Sequence, residues 1–444
     1  MGYTIALTGD SIIARPVSQY QDEPTQKLYS LIRESDVSFT NIEVVASDFV
    51  GDPAARSDGA HFGVASSNLD ELQEIGFNLF SSANNHALDY GVKGLLTAID
   101  NMKQRKMHFS GVGKNLAEAR MPVYLTTDNV TVALISCSST FFDEQAAGEQ
   151  RNHLQGRPGL NPLRFEVEYI VKPSQFEVLK EIHEELGLKG QQEKFAKLGF
   201  DREVIKEGVL KFSDSNHRVI GSLNAKFKEG PKTTIQSRAN PKDLAEINAW
   251  VAEAKERADI VIVSIHAHEE FEVREKADHY IHEFSRSVID HGADIVVGHG
   301  PHLLRGIELY NNKPIFYSLG NFIGQNELIE QLPEDSYRRF NVPSNILPSE
   351  LFNIRCDYGK KGFPGDPVFW ISVMPYLVYE ENQIKEIRLY PLELTKGEKG
   401  YQRGRPMLAS EGKSEVVYKI LSELSLDYGT KIIKENSEFF TIRL

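Results

Sequence analysis

Short apolar runs rich in β-branched residues alternate along the chain with amphipathic segments. The apolar runs, each bounded by Gly, Asn or Asp, occupy 3–8, 37–40, 78–82, 130–137, 260–265, 295–298 and 314–319. Continuous runs of this length are typical of strands buried on both faces. Helical patterns at 24–35, 67–75, 91–105 and 278–291 lie between several of them. This alternation predicts an α/β core with parallel strands, in which functional sites lie beyond the carboxyl ends of the strands.

Two regions interrupt the alternation and divide the chain. Residues 165–242 are polar, with Glu and Lys at helical spacing, and predict a helical insertion or cap between core segments 1–164 and 243–323. Residues 324–444 begin with a long loop over 325–365. A hairpin around Glu381 and Asn382, a helix over 413–424 and a last strand over 439–444 then complete the core.

Composition narrows the class of protein. The 444 residues carry a formal net charge of −13, which argues against a nucleic-acid backbone or an anionic membrane as partner. Two cysteines, Cys137 and Cys356, predict reduced thiols rather than a disulfide scaffold. No segment has the run of about 18–20 apolar residues that a membrane span needs, and no secretory signal is visible. We therefore expect a cytoplasmic protein.

Five of the apolar runs end in side chains that can ligate a metal. The residues that follow them are Asp10; Asn41 to Glu43; Asn84 to His86; His266 to Glu270; and His299 to His302. Taken singly, each group also has an ordinary explanation as a turn, a helix cap or a buried histidine. Because parallel strands bring their carboxyl ends to one edge, the five groups together predict one site for Mn²⁺, Zn²⁺, Fe²⁺ or Co²⁺.

The order and content of these groups resemble the capsule-synthesis, or poly-γ-glutamate synthesis, CapA family of the calcineurin-like metallophosphatase superfamily. The similar strings, spread over about 3–164 and 243–323, are Thr-Gly-Asp-Ser-Ile-Ile-Ala-Arg (8–15), Asn-Ile-Glu (41–43), Ala-Asn-Asn-His-Ala-Leu-Asp-Tyr-Gly (83–91), Gly-Arg-Pro-Gly-Leu-Asn-Pro (156–162), His-Ala-His-Glu-Glu (266–270), Gly-His-Gly-Pro-His (298–302) and Phe-Tyr-Ser-Leu-Gly-Asn-Phe (316–322). The resemblance implies a four-layer α-β-β-α sandwich, to which this chain adds the helical insertion and a C-terminal β extension.

The resemblance also implies roles for individual residues. Asp10 corresponds to the carboxylate of the first motif and Glu43 to the bridging carboxylate. Asn85 corresponds to the amide ligand and His86 to the neighbouring general acid. The imidazole ligands correspond to His266, His299 and His302. Because Ile12 replaces the histidine of the superfamily's first motif, one ligand is missing, and one or two divalent ions remain possible.

Six further residues are candidates with an ordinary alternative reading. Arg15 is a catalytic candidate that would clamp a phosphate or carboxylate, or else a surface arginine at a helix start. Arg157 and His61 are substrate contacts or loop residues. His268 is an imidazole that relatives lack; it is a metal ligand, a substrate contact or a surface histidine, and we favour the last two. Glu270 keeps a family carboxylate and would orient His266. Asn321 is assigned to a tight turn rather than to chemistry.

These residues support three classes of function. The first is a metal-dependent hydrolase acting on a phosphoester or on a carboxylate-bearing amide or peptide, with His86 protonating the leaving group. The second is a metal-dependent amino-acid or peptide epimerase that uses the same site for proton abstraction. The third is an accessory role in polymer synthesis. Expected partners are a small-molecule, peptide or anionic-polymer substrate, with no nucleic acid and no membrane.

Overall fold

The computed structural model describes residues 2–200, 208–213, 224–397, 400–434, 436 and 438–444. The chain divides into two compact units. The first contains residues 2–163, 242–277 and 284–444, and the second contains residues from 164–241 and 278–283. Within the described residues, no helix is both long enough and apolar enough to cross a lipid bilayer.

The secondary structure alternates between short strands and helices in the first third of the chain. The strands are β1 (Gly2–Ile12), β2 (Val37–Ile42), β3 (Leu79–Ser81), β4 (His108–Ser110), β5 (Val112–Gly113), β6 (Val123–Thr126), β7 (Thr131–Ser138), β8 (Gly159–Leu160), β9 (Phe165–Val171), β10 (Val209–Ser213), β11 (Asn224–Glu229), β12 (Thr234–Ala239), β13 (Ile260–His266), β14 (Glu270–Phe271), β15 (Val273–Ala277), β16 (Ile295–His299), β17 (Ile307–Tyr310), β18 (Lys313–Phe316), β19 (Asn321–Gly324), β20 (Ile371–Glu380), β21 (Gln383–Leu394), β22 (Pro406–Leu408), β23 (Ile432–Lys434) and β24 (Phe440–Ile442). The helices are α1 (Glu23–Glu34), α2 (Asn68–Ile75), α3 (Gly91–Gln104), α4 (Leu116–Arg120), α5 (Pro173–Glu185), α6 (Leu188–Lys197), α7 (Pro241–Lys255), α8 (His279–Asp290), α9 (Glu334–Arg339), α10 (Pro348–Arg355), α11 (Gly362–Gly365) and α12 (Glu411–Leu426).

Two large sheets form the first unit. The larger has the order β23-β24-β21-β20-β1-β2-β3-β4, with β19 paired to β1 and β22 to β21. Its strands β1 to β4 and β19 are parallel, and the C-terminal hairpin β20–β21 adds to it in antiparallel pairing. The smaller sheet has the order β17-β18-β16-β13-β7-β6, with β7, β13, β16 and β18 parallel. The predicted parallel strands are therefore confirmed in both sheets.

The sheets pack face to face and helices cover their outer faces. Ile5 and Leu7 of the larger sheet share one buried cluster with Ile262 and Val297 of the smaller sheet. The opposite face of the larger sheet packs against α1, α2 and α3 in a second cluster. Strand β13 of the smaller sheet is buried along its whole length, and the helices that precede and follow it, α7 and α8, carry the buried apolar residues Ile247, Val251, Phe284 and Val288. The resulting layers are the α-β-β-α sandwich that the resemblance implies.

The second unit is only partly helical, which corrects the prediction for 165–242. It contains α5 and α6, but also a four-stranded sheet with the order β10-β11-β9-β12. Its strand β9 alternates charged with apolar residues, so one face is polar, and the abundance of Glu and Lys suggested a solvated helix instead. Residues 201–207 and 214–223 of the predicted insertion lie outside the described residues.

The predicted loop over 325–365 is also not wholly irregular. It contains the short helices α9, α10 and α11. Their apolar side chains Leu351 and Phe352 are buried in the cluster that covers the outer face of the larger sheet. Segments this short show too little helical periodicity to be recognised from sequence.

Candidate metal centre

The predicted ligands converge where parallel strands of the two stacked sheets end. Asp10 lies in β1, with Asn41 of β2 as its register partner on one side and Asn321 of β19 on the other. In the smaller sheet, His266 at the end of β13 is the register partner of His299 at the end of β16. The parallel pairing within each sheet and the face-to-face packing of the sheets thus bring remote segments to one place.

Five ionisable side chains form the centre of this cluster, which we call the metal centre: Asp10, Glu43, His266, His299 and His302. The Oδ1 atom of Asp10 lies 3.4 Å from His299 Nδ1 and 3.7 Å from His266 Nδ1. The Oδ2 atom of Asp10 lies 3.4 Å from His302 Nδ1. The Oε1 atom of Glu43 lies 3.7 Å from Nε2 of both His266 and His302. All five side chains are buried, and His302, at 7%, is the most exposed of them.

The ionisation of Asp10 and His266 favours cation binding. Burial raises the pKa of Asp10, but hydrogen bonds from His299 and His302 are the largest of the opposing effects that hold that pKa well below its ordinary value. Burial lowers the pKa of His266, so its imidazole is neutral and keeps a lone pair. Burial, together with the negative charge of Asp10, raises the pKa of Glu43 well above its ordinary value. A cation between these carboxylates would offset the repulsion that contributes to this shift.

Unpartnered atoms show that the residues fit a metal. Both carboxylate oxygens of Glu43 and the Oδ1 atom of Asn85 are buried without a hydrogen-bond partner in the described part of the chain. Buried polar atoms are rarely left unpaired, since each costs about 1–3 kcal/mol. Ligand atoms of Asp10, His266 and His299 lie within 4.8 Å of one another, as do those of Asp10, Glu43 and His302. Carboxylate, imidazole and amide donors together suit a borderline divalent ion.

Neighbouring polar groups hold the ligands in position. The Nδ2 atom of Asn41 donates to Asp10 Oδ1 at 2.8 Å, and the backbone N–H of Gly300 donates to Asp10 Oδ2 at 2.9 Å. The Oγ atom of Ser264 lies 2.7 Å from His299 Nε2. The Oδ1 atom of Asn321 lies 2.9 Å from His302 Nδ1, so Asn321 contacts the centre as well as following Gly320 in the turn. Such contacts fix the tautomer and the orientation of a ligating imidazole.

The turn between His299 and His302 requires glycine at its second position. Gly300 has φ +118°. A Cβ atom there would lie 2.9 Å from His268 Cδ2 and 3.0 Å from the backbone nitrogen of Ala267. Glycine therefore allows the two histidine-bearing segments to approach each other closely.

The Asn84–His86 loop brings a second set of side chains to the centre. Asn84 Nδ2 donates to the carbonyl of Ile42 at 2.7 Å, which ties this loop to β2 next to Glu43. Asn85 Nδ2 donates to Asp58 Oδ2 at 3.4 Å. The Nδ1 atom of His86 lies 2.6 Å from Asp89 Oδ2. Sequence reasoning missed Asp89 and Asp58, although Asp89 stands in the recognised string of residues 83–91.

His268 lies next to the metal centre, closer to it than a surface histidine would be. Its Nε2 atom is 3.0 Å from His266 Nε2, and its Nδ1 atom is 3.8 Å from Asp58 Oδ2. Ligand atoms of Glu43, His266 and His268 lie within 4.8 Å of one another. This third group shares Glu43 and His266 with the other two groups, so the donor set can accommodate one ion or two.

Four predicted site residues have other partners in the structure. The half-exposed Arg15 pairs with Glu330. Arg157 Nε donates to the carbonyl of Ala146 at 2.9 Å.

His61 contacts Ser336 Oγ at 3.0 Å and the carbonyl of Ala54 at 2.8 Å. The exposed Glu270 lies 4.0 Å from Arg274, and among the described residues it makes no hydrogen bond or ion pair with His266. The expectation that Glu270 orients His266 is not supported, because β14 carries its side chain toward Arg274 instead.

The chain is similar to known proteins in sequence and in structure. The family model described as bacterial capsule synthesis protein PGA_cap matches residues 4–326. The uncharacterized protein y4sH of Sinorhizobium fredii is 32% identical over 445 residues, which span 98% of this chain and 92% of that protein. The PGA biosynthesis protein CapA of Bacillus subtilis is 25% identical over 264 residues, which span 59% of this chain and 47% of that protein. A crystal structure described as a novel phosphatase of Mycoplasma pneumoniae aligns with a TM-score of 0.39 and 10% identity, over 88% of this chain and 93% of that one.

Proposed function

Because the chain belongs to the bacterial capsule synthesis protein family PGA_cap, we propose that it is a divalent-metal-dependent hydrolase of an anionic substrate. The bond cleaved is a phosphoester, or an amide or peptide bond of a carboxylate-bearing compound. The observation that carries this proposal is Glu43, a fully buried carboxylate whose two oxygens have no hydrogen-bond partner among the described residues and which faces the imidazoles of His266 and His302. An apolar residue would serve a purely structural role better.

The residues that would hold the ion are those of the metal centre together with Asn85. A bound divalent cation supplies Lewis-acid activation of water and of the scissile group at neutral pH. Asp10, fixed by Asn41 and Gly300, keeps a negative charge in the centre. The neutral imidazole of His266 adds a donor without adding positive charge, and His299 and His302 offer two further imidazole donors.

In this proposal His86 is the proton donor to the leaving group. Asp89 accepts from Nδ1 of the His86 ring, so the Nδ1 proton is held and Nε2 is the nitrogen that can exchange a proton. The ring of Phe62 stacks on the His86 ring at a centroid distance of 4.0 Å, which restricts its rotation. A restrained imidazole beside a metal cluster is the arrangement that general acid catalysis needs.

The test is turnover by the Mn²⁺-loaded protein. We would incubate it in deuterium oxide with a generic phosphodiester and with a panel of γ-glutamyl peptides, and follow the release of alcohol and of amine together with solvent deuterium uptake. The proposal predicts release from at least one class, abolished by chelation and restored by Mn²⁺. Deuterium uptake without release of alcohol or amine would contradict hydrolysis and support epimerisation. Binding of an acidic polymer without release or deuterium uptake would contradict an enzymatic role and support an accessory role.

A further inference from the structure

A cleft lined by arginines lies beside the metal centre. Its volume is about 450 Å³, and its lining includes Arg56, Arg338 and Arg339. The opposing charge in the lining is the carboxylate of Asp335. Three guanidinium groups around one cleft contrast with the net charge of −13 of the whole chain. Local charge of this kind attracts an anion even when the protein as a whole is acidic.

The arginines are available to a ligand. All three are exposed in the first unit. The guanidinium of Arg338 has no hydrogen-bond or ion-pair partner among the described residues. Arg56 lies 3.9 Å from Glu144 Oε1, beyond hydrogen-bond distance, and its guanidinium lies 3.9 Å from the ring centroid of Phe142. Stacking on an aromatic ring leaves the guanidinium edge free for two parallel hydrogen bonds to a carboxylate or phosphate.

The loop that lines the cleft also reaches the metal centre. Ser57 and Gly59 line the cleft, and Asp58 lies between them in the chain. The Asp58 carboxylate lies 3.4 Å from Asn85 Nδ2 and 3.8 Å from His268 Nδ1. Consecutive Cα atoms are about 3.8 Å apart, so the cleft lining begins roughly one residue away from a side chain that touches the centre. Arg339 donates to the carbonyl of Ser57, which ties α9 to this loop.

We propose that Arg56, Arg338 and Arg339 form an anion-binding subsite for a second carboxylate or phosphate of the substrate whose reacting bond lies at the metal centre. This inference rests on the proposed function for the identity of its ligand as a substrate. The ligand is therefore a compound with at least two anionic groups. Carboxylates of an acidic peptide and phosphates of a polyphosphate share this chemistry, and the experiment separates them.

The experiment measures binding of two probes, γ-linked tetraglutamate and tripolyphosphate, to the full chain by calorimetry. Arg56→Gln and Arg338→Gln remove charge at exposed positions, so both variants should fold normally. We expect each variant to bind the preferred probe about tenfold more weakly, which is the loss typical of one charge-assisted contact. The double variant should bind it more weakly still. Raising the salt concentration should reduce the difference in probe affinity between the variants and the wild type.

The matched control is Arg257→Gln. Arg257 is 63% exposed and pairs with Glu253. It precedes the amino end of β13, whereas the metal centre lies at the carboxyl end of that strand. The control should bind both probes like the wild type.

Two binding results would overturn the subsite: neither probe binds the wild type, or the double variant binds as tightly as the control. Preference for tetraglutamate identifies carboxylates as the ligand, and preference for tripolyphosphate identifies phosphates. If binding depends on the arginines but no substrate is hydrolysed, the subsite stands and the proposed hydrolase fails. If substrate is hydrolysed with unchanged KM in both arginine variants, the hydrolase stands and the subsite fails.

Discussion

The imidazole of His86 and the carboxylate of Asp89 form a buried pair, with 2.6 Å between Nδ1 and Oδ2. The same Oδ2 atom accepts a hydrogen bond from the backbone of Phe62 at 2.8 Å, and the Phe62 ring stacks on His86. Asp89 is three residues beyond His86, so a single turn of chain sets both the tautomer and the orientation of the ring. This pair defines the proton donor that we assign to the leaving group.

The pair predicts that Asp89→Asn impairs turnover while leaving the metal bound. The amide keeps the size of the side chain but loses the charge that favours a proton on Nδ1. Loss of such an orienting group typically lowers activity about 10- to 100-fold. Steady-state kcat and metal analysis of the same sample test this. Asp70→Asn, which removes a half-exposed carboxylate paired with Arg105, is the control and should match the wild type. An unchanged kcat in Asp89→Asn would exclude the assigned role of the pair.

Substitutions in the Asn84–His86 loop should separate metal binding from catalysis. We expect Asn85→Ala to lose metal, because it removes a buried amide oxygen that has no hydrogen-bond partner in the described chain. We expect His266→Ala to lose metal as well, because His266 belongs to two of the three groups of candidate ligands. His86→Ala should keep its metal and lose turnover. Metal content after dialysis and kcat with saturating Mn²⁺ are the two readouts. Normal turnover by His86→Ala would show that another group donates the proton.

Ser264 offers a matched test of ligand positioning. Ser264→Ala removes the hydroxyl that lies 2.7 Å from His299 Nε2, and we expect about tenfold weaker Mn²⁺ binding by titration. The control is Ser136→Ala, since Ser136 is the register partner of Ser264 on β7 and its buried hydroxyl has no hydrogen-bond partner in the described chain. Equal Mn²⁺ affinity of the two variants would mean that Ser264 does not position His299.

Glu43 should make the metal-free protein less stable as the pH rises. Burial and the charge of Asp10 raise its pKa in the folded state, so the folded protein binds this proton more tightly than the unfolded chain. The stabilising contribution is complete below the ordinary pKa of about 4.5 and is lost as the pH rises through the folded-state value. Glu43→Gln removes this dependence and should raise the melting temperature of the metal-free protein at pH 7.

Once metal is added, Glu43→Gln should be less stable than the wild type. Mn²⁺ at 100 times its Kd stabilises the wild type by about 2.7 kcal/mol, and Glu43→Gln should gain less. Thermal melts at pH 5 and pH 8, with chelator and with Mn²⁺, measure both effects. A lower melting temperature for Glu43→Gln than for the wild type in chelator at pH 8 would contradict the argument.

Much of the metal centre was predictable from sequence, because the ends of buried strands can be recognised from the sequence. Asp10, His266 and His299 each lie at or near the end of an apolar run, and parallel pairing makes such ends converge. Recognising the family strings then singled out Asn85 and His86 from an Asn-Asn-His sequence that reads, by itself, as a turn. This inference needs only the direction of the strands and the identity of the residue that follows each one.

The contacts that tune the centre could not be predicted in the same way. Ser264 lies within a buried strand, where a serine has no distinctive pattern, and its partner His299 is 35 residues away. Asp58 stands in a Gly-rich loop whose course no periodicity encodes. Arg15 follows Asp10 closely in sequence, yet it pairs with Glu330, which lies 315 residues further along the chain. These relationships depend on loop paths and on packing between distant segments.

The central claim is that side chains from both sheets hold a divalent cation at one place, and anomalous diffraction from crystals of the Mn²⁺-loaded protein tests it most directly. The account predicts an anomalous peak at the manganese edge in contact with Asp10, Glu43 and the imidazoles of His266, His299 and His302. A second peak beside His268 would indicate two ions. A protein that takes up no Mn²⁺, or a peak bound only by residues outside this cluster, would contradict the metal centre and the enzyme proposed from it.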